Sequence, residues 1–489
     1  MAPANSSPKS TLADSSISDS DAHSVERSED PIAEKKLFNR GLSSLLSISF
    51  LGATNDNILK QILIFMVIAG GVWVNALGSG TQSYITLVLA IPFILLSGLA
   101  GQIADKYSKR KVILCAKIAE IPIALTAALG LLLGSFWISI FALLLFAIQS
   151  SFFGPAKFGI IPELVPDKKL SQANGLILAI TNIGVILGSV LAGPLADMYY
   201  PTVPLTPTSS ISVASSDDGE LTPQEPANGE IVFVQDPDKS PRKSPAGLTL
   251  IAVAILGLIA VPFMPKLKPA SPDRKLSFDL FNSHRETFRT ADRTLIVVLT
   301  SWSGFYLVAI LAILLVPEFR STLGVNNTKM SYIVGLLGVS IAIGSCFAGF
   351  LSKDKIRPYF SLAGATGMTI AFFLMGLLPL SYLGLASLVF SIGFFAGFYI
   401  VPLQSLLQYL SPNDERGRFF GTANALSFCF VSIGSIIFLI LDSLGLTPAN
   451  VALFCAGISL IGTVVGGIAM KQILKARDSH GEVNAISEG

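Results

Sequence analysis

The chain contains twelve long runs of apolar residues with almost no charge, and these runs constrain its fold more than any other feature. Each run has about 18 residues or more, enough for an α-helix to cross the hydrocarbon core of a bilayer. Charged residues form only 13% of the 489 residues, whereas a soluble domain has about 25%. We therefore expect an all-α membrane protein with twelve transmembrane helices. The runs lie at roughly 42–69, 84–101, 112–133, 136–156, 173–196, 247–265, 294–317, 330–351, 358–380, 384–408, 419–441 and 449–470.

Basic residues are concentrated in every second segment outside these runs. Short cytoplasmic loops collect Lys and Arg, whereas exported loops do not. Every odd-numbered segment outside the runs is basic, while the even segments at about 70–83, 134–135 and 381–383 carry no charge. The pattern predicts a multi-pass membrane protein with both termini in the cytoplasm.

An internal repeat divides the chain into two halves. Ala173-Asn174-Gly175-Leu176 is followed by Gly184, and Ala423-Asn424-Ala425-Leu426 is followed by Gly434, in both cases ten residues after the asparagine. An offset of about half the chain indicates two six-helix bundles related by duplication. We expect an N-terminal bundle at 38–265, a central cytoplasmic loop at 266–293 and a C-terminal bundle at 294–476.

Three segments have the composition of disordered chain. They are rich in Ser, Asp and Pro and contain no long apolar run. We expect a disordered cytoplasmic tail at 1–37, a disordered insertion outside the membrane at about 200–246, and a cytoplasmic tail at 477–489.

A short charged loop joins the second and third runs, with the sequence Gly101-Gln102-Ile103-Ala104-Asp105-Lys106-Tyr107-Ser108-Lys109-Arg110-Lys111. It resembles the signature loop of the major facilitator superfamily, in which Gly, Asp and a closing basic cluster have this spacing; Ser108 replaces the second glycine. The resemblance implies a secondary transporter that works by alternating access. It also implies that the aspartate engages the other bundle, for which Arg416 and Arg418 in the symmetry-related loop are natural partners. The predicted conformational residues are Gly101, Asp105, Lys106, Arg110, Lys111, Arg416 and Arg418.

Ionisable residues inside the apolar runs indicate where a substrate binds. A charge at the centre of a bilayer costs about 2.5–3.5 kcal/mol, so it suggests a functional role. Asp56 lies near the middle of the first run and Lys60 follows one helical turn later; the two either contact a substrate or neutralise each other. Lys117 and Glu120 share one face of the third run, as a structural pair or as part of a coupling site.

The C-terminal half has no ionisable residue in the interior of its runs and offers amides such as Gln404. Recognition of charge is therefore expected in the N-terminal half, where Lys157 follows Gly154-Pro155 at the inner end of the fourth run. This asymmetry suits an amphiphilic substrate with a charged head and an apolar tail.

Two stretches narrow the resemblance. They are Phe50-Leu51-Gly52-Ala53-Thr54-Asn55-Asp56-Asn57-Ile58-Leu59-Lys60 and Gly154-Pro155-Ala156-Lys157-Phe158-Gly159-Ile160-Ile161-Pro162-Glu163-Leu164. Together with Ala173-Asn174-Gly175-Leu176 they resemble the bacterial lysophospholipid transporters of the superfamily. The resemblance implies inward movement of lysophospholipids across the inner membrane, head-group roles for Asp56, Asn57 and Lys157, and a separate acyltransferase as a partner. The full set of predicted binding residues is Asp56, Asn57, Lys60, Glu120, Lys157 and Gln404.

The sequence favours a transporter over an enzyme. None of His23, His284 and His480 is followed five residues later by Asp, as an acyltransferase requires, and no Gly-Lys pair could form a P-loop. We expect a monomer in the lipid bilayer with no cofactor, no metal site and no nucleic-acid partner. Two alternatives remain: a proton-coupled exporter of drugs or small metabolites, and a transport-inactive sensor or scaffold.

Overall fold

The computed structural model describes residues 36–67, 73, 81–204, 233–235, 239–279, 281–323, 325, 327–353 and 355–480. Nearly all of the predicted tail at 1–37 lies outside the described residues. So do 205–232 and 236–238 of the predicted insertion and 481–489 of the C-terminal tail.

Twelve long helices and one short helix make up most of the described chain. The first six are α1 (Arg40–Val67), α2 (Thr81–Lys106), α3 (Lys109–Leu133), α4 (Phe136–Leu164), α5 (Leu170–Tyr199) and α6 (Ser244–Ala260). The short helix α7 (Asn282–Thr290) precedes α8 (Arg293–Leu323), α9 (Asn327–Leu351), α10 (Tyr359–Leu377), α11 (Tyr382–Leu410), α12 (Arg416–Ser443) and α13 (Pro448–His480). The predicted all-α membrane fold is confirmed.

Eleven stretches of the described chain are helical, long and apolar enough to cross a membrane. The remaining long helix is α1, which carries Asn55-Asp56-Asn57 and Lys60-Gln61 in its middle. Close packing along α5 keeps one side of α1, with its polar residues, away from lipid. A Cβ atom at Gly184 would lie 2.5 Å from the carbonyl oxygen of Phe50, and one at Gly188 would lie 2.5 Å from that of Thr54. Glycine thus lets the two backbones touch, as small residues do between membrane helices.

The two bundles meet along two helix pairs, α2 with α12 and α5 with α9. Glycine again permits backbone contact: a Cβ atom at Gly101 would lie 2.5 Å from the carbonyl oxygen of Gly417, and one at Gly175 would lie 2.5 Å from that of Ser345. The contact between Gly101 and Gly417 lies where α2 ends and α12 begins, which we call the signature end of the molecule. The signature end is closed in this structure.

The predicted insertion at 200–246 is not wholly irregular. Strands β1 (Thr202–Pro204) and β2 (Phe233–Gln235) pair antiparallel, with Thr202 opposite Gln235. Helix α6 already begins at Ser244. The two strands pair through hydrogen bonds between the two ends of the insertion. Composition alone cannot indicate such pairing, because 28 residues separate the strands.

The central segment at 266–293 is not a simple loop either, because it contains α7. This helix packs against α2 and α12. At the C-terminal boundary, α13 continues to His480, four residues beyond the predicted end of the bundle.

Candidate functional site

Asp56 lies on α1 beside α4. The hydroxyl of Ser150 donates a hydrogen bond to Oδ2 of Asp56 at 3.0 Å and also contacts Oε1 of Gln149 at 3.1 Å. Asp56 is half-buried. Ser150 therefore orients the carboxylate without neutralising its charge.

Lys157 lies on the same face of α4 as Ser150, since seven residues make about two helical turns. Its ammonium group lies 4.7 Å from the ring centroid of Phe158 and 5.8 Å from that of Phe153. Cation–π contacts of this length stabilise an ammonium group without supplying a counter-charge. Within the described residues, no ion pair is formed by Lys157 or by Asp56. The site thus offers one carboxylate and one ammonium group, each half-buried.

Glu120 belongs to a cluster of polar side chains that is buried in the interior of the N-terminal bundle. Lys117 Nζ lies 2.5 Å from Glu120 Oε2, and the Asn55 amide donates to Glu120 Oε1 at 3.0 Å. Both charged side chains are only 1% exposed. Gly52 provides space, because a Cβ atom there would lie 2.9 Å from Lys117 Nζ. In this structure the two charges neutralise each other out of contact with solvent.

Asn57 and Lys60 complete the predicted set on α1. The Asn57 side chain donates to the carbonyl oxygen of Ala53, on its own helix, at 2.9 Å. Lys60 is half-buried one turn beyond Asp56. Asn57 lies against α5, where a Cβ atom at Gly188 would be 2.9 Å from Asn57 Cβ. Within the described residues, Ser150 makes the one side-chain hydrogen bond to the Asp56 carboxylate.

Gln404 belongs to another cluster, which joins α5 to α11 across the two bundles. Its amide donates to Asn174 Oδ1 at 2.7 Å, and the Asn174 amide contacts Gln408 Oε1 at 2.5 Å and Ser405 Oγ at 3.0 Å. Gln404 and Asn174 are fully buried. This position near the signature end suits a contact that holds the bundles together.

The side chain of Asp105, which belongs to the N-terminal bundle, contacts the C-terminal bundle at the signature end. Its Oδ1 accepts from the backbone N–H of Gly417 at 2.5 Å, and its Oδ2 accepts from that of Arg418 at 2.8 Å. These are among the first N–H groups of α12, which have no partner inside the helix. The positive end of the helix dipole adds to the attraction. Asp105 therefore caps α12 of the opposite bundle.

The side chains of Arg416 and Arg418 do not bind Asp105 as predicted. The Arg418 guanidinium contacts Glu286 at 3.2 Å and Thr290 at 2.7 Å, and it also pairs with Glu415. Arg416 donates to the carbonyl oxygen of Gln408 at 2.9 Å. The backbone of Arg418 and the side chain of Arg274, at 3.5 Å, face the carboxylate instead. The N–H groups of a helix terminus are already fixed in position, so this contact costs less side-chain entropy than a contact with a long arginine side chain.

The remaining residues of the signature loop differ in exposure. Gly101 is buried at the contact with Gly417, whereas Lys106 and Arg110 are half-buried and Lys111 is exposed. The central segment braces this region: Ser271 N–H donates to the carbonyl oxygen of Asp105 at 2.9 Å, and Ser277 N–H donates to the Gln102 side chain at 2.9 Å.

Several residues at these sites escaped the sequence analysis. Ser150 could have been found, because it precedes Lys157 by seven residues and therefore shares its face of the helix. Arg274 could not, because nothing local distinguishes it from the other basic side chains of its segment.

Comparison with known proteins agrees with this fold. The model of the Major Facilitator Superfamily matches residues 42–210 and 243–435. Among solved structures, the transporter FucP in its outward conformation has a TM-score of 0.65 at 12% identity, covering 88% of this chain and 98% of that one. The human organic anion transporter MFSD10 has a TM-score of 0.64 at 16% identity, covering 87% and 99%.

Two curated relatives carry the same name. Lysophospholipid transporter LplT of Enterobacter is 25% identical over 88% of this chain and 93% of its own length. Its counterpart in Salmonella typhimurium is 26% identical over 82% and 86%. These relatives confirm the resemblance predicted from the first, fourth and fifth spans. With the family model matching well over half of its length, the chain belongs to the Major Facilitator Superfamily of transporters.

Proposed function

We propose that this transporter carries lysophospholipids inward across the inner membrane by alternating access. One observation carries the proposal: Asp56 and Lys157 are half-buried inside the N-terminal bundle, and neither forms an ion pair within the described residues. A zwitterionic head group, with an amine and a phosphate, supplies the two missing counter-charges. The name of the curated relatives supports this choice of substrate.

The proposed contacts follow from charge. Asp56 accepts from the amine of the head group, and Lys157 donates to the phosphate. Asn57 and Lys60 lie close to Asp56 along α1. A buried hydrogen bond to a charged group is worth about 1.5–3 kcal/mol, so losing either partner should weaken binding roughly tenfold or more.

The acyl chain would lie against the C-terminal bundle. The interiors of its apolar runs carry no acidic or basic side chain, which suits contact with an apolar tail. A separate acyltransferase would then consume the delivered lysophospholipid. The protein would act as a monomer.

The test is uptake of labelled lysophosphatidylethanolamine into vesicles that contain the purified protein. We expect Asp56→Asn and Lys157→Gln each to lower uptake at least tenfold. Asp442→Asn and Lys266→Gln are matched controls, because both side chains are exposed, and each should transport like the wild type. For a lysolipid without the amine, uptake by the wild type and uptake by Asp56→Asn should differ less. Normal uptake by both site variants, or wild-type transport of hydrophilic drugs without any lysolipid, would instead support the exporter.

A second prediction concerns the closed signature end, which we place on the cytoplasmic side. Asp105→Asn removes the charge that caps α12 and replaces one acceptor with a donor. The closed state loses about 1.5–3 kcal/mol from a charged hydrogen bond, so the signature end should open more often and transport should slow. The protein should remain folded, since the contact joins two bundles rather than filling a core.

The control for this variant is Asp273→Asn, an exposed carboxylate in the central segment. The measurement pairs the uptake rate with the distance between spin labels at Tyr107 and Asp414, both exposed at the signature end. Unchanged uptake and unchanged label distances in Asp105→Asn would show that the cap is dispensable.

A further inference from the structure

Three phenylalanine side chains are exposed in the segment that joins the two bundles. Phe278 is 78% exposed, Phe281 58% and Phe288 41%. They lie within eleven residues of one another. A segment in contact with water would be expected to carry polar side chains at these positions. An exposed apolar patch of this kind marks an interaction surface.

Helix α7 has two different faces. Ser283 and Thr287 are fully buried, and the Thr422 hydroxyl of α12 donates to the Thr287 hydroxyl at 3.0 Å. His284 Nδ1 also lies 3.0 Å from the Thr422 hydroxyl, and burial lowers the pKa of this histidine, which favours its neutral form. The inner face is thus fixed against α12.

The outer face alternates aromatic and basic side chains. Phe281 and Phe288 are two turns apart, and Arg285 lies between them on the same face. Arg285 and the adjacent Arg289 are both exposed. The fixed inner face leaves this outer face pointing away from the protein.

Positive charge predominates in the segment as a whole. Residues 266–293 contain seven Lys or Arg against four Asp or Glu. Three of the four acids are engaged: Glu286 pairs with Arg274 and Arg418, while Asp279 accepts from Phe281 N–H at 3.0 Å and Asp292 accepts from Leu295 N–H at 2.7 Å. Arg285 and Arg289 remain available for an external anion.

The position of α7 brings this face close to the bilayer. Helix α8 begins at Arg293, three residues after α7 ends at Thr290. Three residues span at most about 10 Å, so α7 lies at the level where α8 leaves the membrane. The nearest extended surface of matching chemistry is the membrane itself.

We propose that α7 is an interfacial helix that binds anionic phospholipids of the leaflet at the signature end. Its phenylalanines insert at the boundary of head groups and acyl chains, and Arg285 and Arg289 contact the anionic head groups. The opposite edge of the same helix holds Arg418 through Glu286 and Thr290. Lipid composition is thereby coupled to the closed signature end. This surface is distinct from the proposed substrate site and does not depend on which substrate is carried.

The test measures the depth of α7 by spin labelling. The four native cysteines are replaced by alanine, and a nitroxide is attached at Phe281→Cys or Phe288→Cys. Asp273→Cys, exposed in the same segment, is the control position. In vesicles that contain phosphatidylglycerol, labels at 281 and 288 should collide more with oxygen than with a water-soluble nickel chelate. The label at 273 should show the reverse.

A titration tests the charge requirement. Phosphatidylglycerol is added stepwise to phosphatidylcholine vesicles, and the fraction needed for half-maximal immersion of the label at 281 is recorded. Arg285→Gln and Arg289→Gln should each raise that fraction on the order of fivefold, whereas Lys239→Gln, on the connection at the other end of the molecule, should not. Water-exposed labels at both 281 and 288 in every lipid mixture overturn the proposal. Immersion that is independent of phosphatidylglycerol overturns the anionic-lipid assignment.

Discussion

Lys117→Met is expected to destabilise the folded protein strongly. The substitution leaves the Glu120 carboxylate buried without its cation, and breaking a buried ion pair from one side costs about 3–5 kcal/mol. Only the Asn55 amide would still contact the carboxylate. The measurement is the free energy of unfolding in mixed micelles, and the midpoint should move to a much lower denaturant concentration.

The control is the double variant Lys117→Met with Glu120→Gln. Removing both charges leaves no uncompensated ion, so the double variant should recover most of the lost stability. An additive loss in the double variant would contradict a sealed pair, and equal stability of Lys117→Met and the wild type would show that the pair contributes nothing to folding. Uptake by the double variant distinguishes a structural pair from a coupling site, because only the former tolerates loss of both charges.

Gly421→Val is expected to abolish closure of the signature end. A Cβ atom at Gly421 would lie 2.2 Å from the backbone oxygen of Ser97 and 3.1 Å from Gly101 Cα. Backbone atoms cannot move aside as a flexible side chain can, so α12 would have to move away from α2. We expect uptake to fall at least tenfold, a penalty of about 1.4 kcal/mol or more, with labels at Tyr107 and Asp414 further apart than in the wild type.

The matched control for this variant is Gly457→Val on α13. No atom lies within 4 Å of the position that a Cβ atom would occupy there. The control has the same change in helix propensity without the clash, so it should close and transport normally. Equal behaviour of the two variants would mean that α2 and α12 need not touch during transport.

The helices could be predicted from the sequence because hydropathy is a local property, readable in each run by itself. The position of Asp56 within its helix could also be predicted, whereas Lys157, expected at the end of the fourth run, lies inside α4, which continues to Leu164. The resemblance predicted that Asp105 engages the other bundle, but not that it does so through backbone N–H groups of α12, 312 positions along the chain. The burial of Glu120 could not be predicted either, because one of its partners, Asn55, lies on another helix. Helix α7 is a different case: the spacing of Phe281, Arg285 and Phe288 could have indicated an amphipathic helix.

The short sheet formed by β1 and β2 has a practical consequence for engineering. Pairing of Pro204 with Phe233 holds the two residues that border 205–232 beside each other. Because the closure entropy of a loop grows only slowly with its length, the chain between these anchors can be lengthened, shortened or replaced at little cost to α5 and α6. An epitope tag or a small folded domain grafted there would be held on a paired stem, which makes this connection a natural attachment point for fiducial markers in electron cryomicroscopy.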